Sequence, residues 1–93
     1  MAELAKTVRI QNELGLHARA ASKLVQTAAR FPVEIQIGHA EMMVNSKSIM
    51  GVLMLAAAQG TELHLVANGD PTVCQNALDA ITTLIDGLFG EGR

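Results

Sequence analysis

The chain has no tryptophan and no tyrosine, and its only aromatics are two phenylalanines, Phe31 and Phe89. Its core must therefore be built from Ala, Val, Ile, Leu and Met. Aromatic platforms for stacking single-stranded nucleic acid are missing. A formal net charge of -2 also argues against the basic patch that a general nucleic-acid binder needs. Cysteine is reduced to Cys74 alone. A lone cysteine forms no internal disulfide and no CxxC pair, which points to a reducing, cytoplasmic setting. Long apolar runs are missing too. The longest, IMGVLMLAAA at 49–58, falls far short of the roughly 20 residues needed to cross a bilayer. The N-terminus, MAELAKTVRI, has no apolar core and does not read as a signal peptide. No HExxH and no Cys/His cluster offers a metal site, and nothing calls for a cofactor.

What is present suits one soluble domain over residues 1–93, with 49% hydrophobic residues to fill a modest core. KTVRIQN (6–12) alternates through Val8 and Ile10, which predicts a strand. From Ala18 to Arg30 the period changes: Ala21, Leu24, Val25 and Ala28 make the stripe of an amphipathic helix, and Pro32 stops it. VEIQI (33–37) alternates again. A turn over 38–41 leads into MMVN (42–45), which can pair back as a hairpin. A second helix is expected over 48–58, ending at Gly60. TELHLVANG (61–69) reads as the fourth strand. Asp70 and Pro71 open a last helix as cap and first residue, with a stripe of Val73, Ala77, Ile81, Leu84, Ile85 and Leu88. The tail GEGR (90–93) is expected to fray. The order β-α-β-β-α-β-α predicts an α+β fold: four antiparallel strands in one sheet, one face covered by helices.

Chemistry concentrates in GLHARAAS (15–22). His17 and Arg19 stand where the first helix begins. A helix start carries N–H groups without intrahelical partners and a partial positive charge. Both favour an anion, and both favour the neutral imidazole over its cation. A neutral ring nitrogen can attack a phosphoryl group. The N–H groups of Ala18 and Arg19 could then hold the phosphate, and the Arg19 guanidinium would add a fork of donors. No second carboxylate or base is evident near His17 in sequence, which favours transfer over hydrolysis. The plain alternative is that both residues are solvated surface. A third reading is a small regulatory domain that binds an anionic metabolite there without chemistry. His39, in the expected turn, and His64, on the outward side of a strand, read as surface.

A second feature lies at NSKSIMGVLMLA (45–56). Ser48 reads first as a helix cap. The helix after it has no polar side chain from Ile49 to Ala58. If Val52, Leu55 and Ala56 face the sheet, Ile49, Met50 and Leu53 lie partly outside and form a docking patch. The other placement buries the helix under the last one, and periodicity does not separate the two. A phosphate on Ser48 would suit the helix dipole and set negative charge beside the patch.

GLHARAASKLV around His17 and KSIMGVLML around Ser48, with the element order, resemble the HPr family of histidine phosphocarriers. The resemblance covers roughly residues 5–89. It implies an open-faced β-sandwich of four antiparallel strands and three helices. It implies that enzyme I of the bacterial phosphoenolpyruvate-dependent phosphotransferase system phosphorylates His17 on Nδ1. The phosphate then passes to an enzyme IIA-type acceptor. Such a protein is a carrier turning over phosphate on itself, not a stand-alone enzyme, and is expected to be a cytoplasmic monomer. Arg19 matches the family's phosphate-assisting arginine, and Ser48 the serine used by HPr kinase/phosphorylase. Ser22, Val25, Ile49, Met50 and Leu53 match its docking surface. One position departs: Ala20 stands where the family motif has proline. Alanine keeps the helix and adds an N–H donor in its first turn. Sugar uptake and a nitrogen-related regulatory branch are both compatible with the resemblance.

Overall fold

A computed structural model describes residues 1–93. Four strands form one sheet: β1 (Ala2–Arg9), β2 (Glu34–His39), β3 (Met42–Asn45) and β4 (Glu62–Gly69). Three helices join them: α1 (Ala18–Ala29), α2 (Ile49–Met54) and α3 (Pro71–Asp86). The sheet order is β1-β4-β2-β3, and every neighbouring pair is antiparallel.

Alternation explains the sheet's two faces. On β4, Leu63, Leu65 and Ala67 are fully buried. They face Val8 on β1 and Ile35 and Ile37 on β2, in register Val8–Leu63, Ile37–Leu65 and Ile35–Ala67. The other face is open. Arg9 and Glu62 pair across it at 3.2 Å, both largely exposed. A pair of that kind adds little stability.

Helices cover the inner face. α3 packs on β1 and β4, α2 packs on β3, and α1 packs against α2 and α3. α3 buries Cys74, Ala77, Leu78, Ile81 and Ile85. Its stripe is thus turned slightly from the expected one: Val73 and Leu84 are its half-buried flank, and Leu88 lies past its end. Asp70 caps α3, its carboxylate accepting the Val73 N–H at 3.0 Å, with Pro71 as the first helical residue.

Several boundaries differ from the sequence expectation. β1 begins at Ala2 rather than residue 6, because the β4 ladder supplies partners up to Ala2–Gly69. Pairing overrides the weak strand character of AELA. β2 runs on through Gly38 to His39, so His39 is a half-buried strand residue and not part of the turn. α2 is the clearest case. Six residues are helical where eleven were expected. Ala56 turns left-handed at φ 47 and is exposed, so it does not face the sheet. The cause is tertiary: the Ala57 carbonyl accepts the Leu16 N–H at 2.9 Å. That bond holds 56–58 out of the helix although alanine favours one. The chain end also differs. Leu88–Gly90 form a 3-10 turn, and Phe89 is only 1% exposed. The last residues are folded back onto the body, not frayed.

Candidate functional site

The turn before α1 is set by Gly15. Its φ is +67, and a side chain there would strike the Ala57 carbonyl. Only glycine lets the backbone approach so closely in that conformation. Asn12, buried, donates from Nδ2 to the Gly15 carbonyl at 2.8 Å. Leu16 is anchored in the core and bonded to Ala57. His17 follows from this scaffold and is the N-cap of α1.

The imidazole caps the helix with its own ring. Nδ1 accepts the Arg19 N–H at 3.2 Å. In the neutral ring that assigns the proton to Nε2 and leaves the Nδ1 lone pair aimed at the helix start. Ala21 is the first residue whose N–H finds a helical acceptor, the His17 carbonyl at 2.8 Å. The N–H groups of Ala18 and Ala20 come before it and lack such partners. The ring is half-buried, its side chain 21% exposed.

Three cationic or donor groups converge on one carboxylate. Glu91 Oε1 lies 3.5 Å from His17 Nε2 and 3.3 Å from Arg19 Nε. Glu91 Oε2 lies 3.1 Å from Lys23 Nζ, and Lys23 also donates to the Phe89 carbonyl at 2.8 Å. The hydrogen bond from Lys23 holds the Glu91 carboxyl below its ordinary value. Desolvation opposes this, and the charges of Arg19 and Lys23 reinforce it. Nε2 itself is buried without a hydrogen-bond partner.

The structure places His17, Ala18 and Arg19 at the start of α1. It adds Glu91 and Lys23, which sequence reasoning missed. The fold does bring a carboxylate to His17 that its sequence neighbourhood does not show: Glu91, 74 positions on, folds back against the ring. One signal was available. Phe89 is a large apolar residue near the chain end, and such a residue docks rather than hangs in water.

Ser48 caps α2, accepting the Gly51 N–H at 3.1 Å. Met50 is 67% exposed, Ile49 41% and Met54 63%. Leu53 is half-buried and Val52 fully buried. The apolar helix is thus placed with one side on the sheet and the other in solvent. Met54 extends the patch beyond the expected residues. Ser22 and Val25 are half-buried on α1, the helix packed against α2. His64 is exposed and lies 3.4 Å from Thr7 Oγ1. No three His, Cys, Asp or Glu side chains converge in a metal-binding group. The two surface clefts gather around Val33, Glu34 and Lys47, and neither reaches His17. No helix is long and apolar enough to cross a membrane.

Residues 4–86 match the family described as the PTS HPr component phosphorylation site. The phosphocarrier protein HPr of Pseudomonas putida is 47% identical over 90 residues, covering 96% of this chain and 98% of that one. The phosphocarrier protein NPr of Shewanella violacea is 42% identical, covering 98% of each chain. The crystal structure of HPr-C-His from Thermoanaerobacter tengcongensis aligns with a TM-score of 0.85 at 42% identity, again over 98% of each chain.

Proposed function

Because the chain belongs to the HPr family of phosphocarriers of the phosphotransferase system, we propose that His17 Nδ1 is the atom that carries the phosphoryl group. The observation that carries this reading is the Nδ1 contact with the Arg19 N–H at the start of α1. The lone pair of Nδ1 attacks phosphorus on phosphorylated enzyme I. The donor's bond to phosphorus breaks, and its electron pair returns to the donor atom. The proton on His17 Nε2 stays in place. The transferred oxygens then meet the N–H groups of Ala18, Arg19 and Ala20 and the Arg19 guanidinium. Arg19 is 70% exposed on its side chain, so it holds the group without enclosing it. That moderate grip suits onward transfer to an enzyme IIA-type acceptor.

The exposed side of α2, with Ser22 and Val25 on α1, is the docking face for these partners. The protein works as a cytoplasmic monomer that presents this face. Phosphorylation of Ser48 by a kinase such as HPr kinase/phosphorylase would put about two negative charges beside Ile49 and Met50 and weaken docking.

Phosphoenolpyruvate with enzyme I should place one acid-labile, base-stable phosphate on the protein, and His17→Ala should abolish it. An undiminished adduct in that variant would sink the assignment. Absence of any adduct, with anion binding retained, would favour the non-covalent metabolite-binding reading.

A further inference from the structure

The Glu91 carboxylate occupies the cations that a phosphate on His17 would need. It touches Arg19 and Lys23 and faces Nε2–H across 3.5 Å. The segment that delivers it is strained. Leu88 and Phe89 take left-handed backbone conformations, at φ 57 and 55, followed by Gly90 at φ 72. Two successive non-glycine residues in that region persist only when their surroundings hold them. Here the hold is the burial of Phe89 and the Lys23 bond to its carbonyl.

We propose that Glu91 is a built-in competitor for the phosphoryl group, bound to Arg19 and Lys23 in the unphosphorylated protein and expelled from them when His17 is phosphorylated. The C-terminal strap then signals the phosphorylation state beside the docking face. The expulsion step rests on the phosphocarrier reading above; the competition for Arg19 does not. The physical reason is charge. A phosphoryl group on Nδ1 brings up to two negative charges into the same cationic cluster. It outcompetes a single carboxylate for the exposed Arg19 and repels that carboxylate at short range. Once Glu91 lets go, the turn is still held by Phe89 and the Lys23 bond to its carbonyl, but the residues beyond it keep only the Asn12 bond to the Arg93 carbonyl as a side-chain tie, and residues 91–93 loosen.

The test uses the full-length, isotope-labelled protein. Inorganic phosphate is titrated into the native chain and into Glu91→Gln while the amides of Ala18, Arg19 and Ala20 are followed by NMR. Removing the competitor should tighten phosphate binding about fivefold, the scale of an exposed ion-pair contribution. Equal or weaker binding by the variant, or no binding by either protein, overturns the competition. Backbone relaxation at Glu91 and Gly92 is then compared before and after treatment with phosphoenolpyruvate and enzyme I. The native tail should be ordered before and mobile after; a tail unchanged in a protein shown to carry phosphate overturns the expulsion. If no phosphate reaches His17, the carrier reading fails and the expulsion falls with it. The inorganic-phosphate comparison still judges the competition by itself.

Discussion

His17 and Glu91 differ in how far the sequence alone locates them. His17 stands inside a short motif whose helix start can be argued from Gly15, the following period of 3.6 and the histidine–arginine spacing. Its role as a cap through Nδ1 follows from that position. Glu91 has no local pattern, because its partners lie 68 to 74 positions earlier in the chain. Only the folded molecule reveals it. Its titration gives a residue-scale prediction. Lys23 first, and then the charges of Arg19 and Lys23, hold the carboxyl below 4.5, against desolvation. A depressed carboxylate stabilises the fold above its unfolded value and loses that contribution as pH falls through the folded one. The stability difference between the native protein and Glu91→Gln should therefore be full well above pH 4.5 and shrink below it. Urea unfolding at about pH 7 and about pH 3 measures this; a gap that widens on acidification contradicts it. At the same site, Arg19→Ala should slow phosphotransfer from enzyme I while the far-UV circular dichroism stays native. An unchanged rate would remove Arg19 from the chemistry.

Elements show where local preference yields to tertiary demand. α1 and α3 lie close to where the apolar period puts them, since each buries a long stripe on a fixed face. α2 does not, because an alanine run that favours helix is overruled by one backbone bond between Leu16 and Ala57. That bond and Gly15 form a single device: the end of α2 braces the turn that presents His17. Gly15→Ala should therefore do double damage. A left-handed non-glycine residue costs about 1–2 kcal/mol, and the clash with the Ala57 carbonyl adds a backbone shift. Chemical denaturation should show a loss of about 2 kcal/mol or more, and phosphotransfer should slow beyond what the remaining folded fraction explains. A neutral outcome would mean that the brace is slack. Ser48 offers a contrast on the same helix. Ser48→Ala removes the bond to the Gly51 N–H and should cost about 1 kcal/mol. Ser48→Asp keeps a capping oxygen, so it should preserve stability yet weaken enzyme I binding by titration calorimetry. Equal affinity would leave Ser48 as a cap alone.

At the scale of the whole molecule, the division between core and docking face runs through α2. The open sheet needs cover on one side only, and 93 residues provide just enough helix for it. A helix without polar residues must then turn some of them to water. Val52, fully buried, belongs to the fold; Met50, 67% exposed, lies on the proposed docking side. The sequence showed that α2 was apolar all round, but which side faced the sheet depended on where β3 and α1 packed against it. Substituting these two residues separates stability from docking. Val52→Ala leaves a void under α2 and should destabilise by about 2 kcal/mol. Its phosphotransfer rate should stay close to native wherever the protein is still folded. Met50→Asp touches no core contact and should change stability by less than about 0.5 kcal/mol. It should raise the enzyme I concentration needed for half-maximal transfer severalfold, because an exposed methionine inside a desolvated interface would be replaced by a charge. Thermal unfolding and initial-rate measurements on both variants check the pair. If Met50→Asp transferred phosphate as well as the native protein, the exposed side of α2 would be ordinary surface and the partners would have to approach His17 from elsewhere.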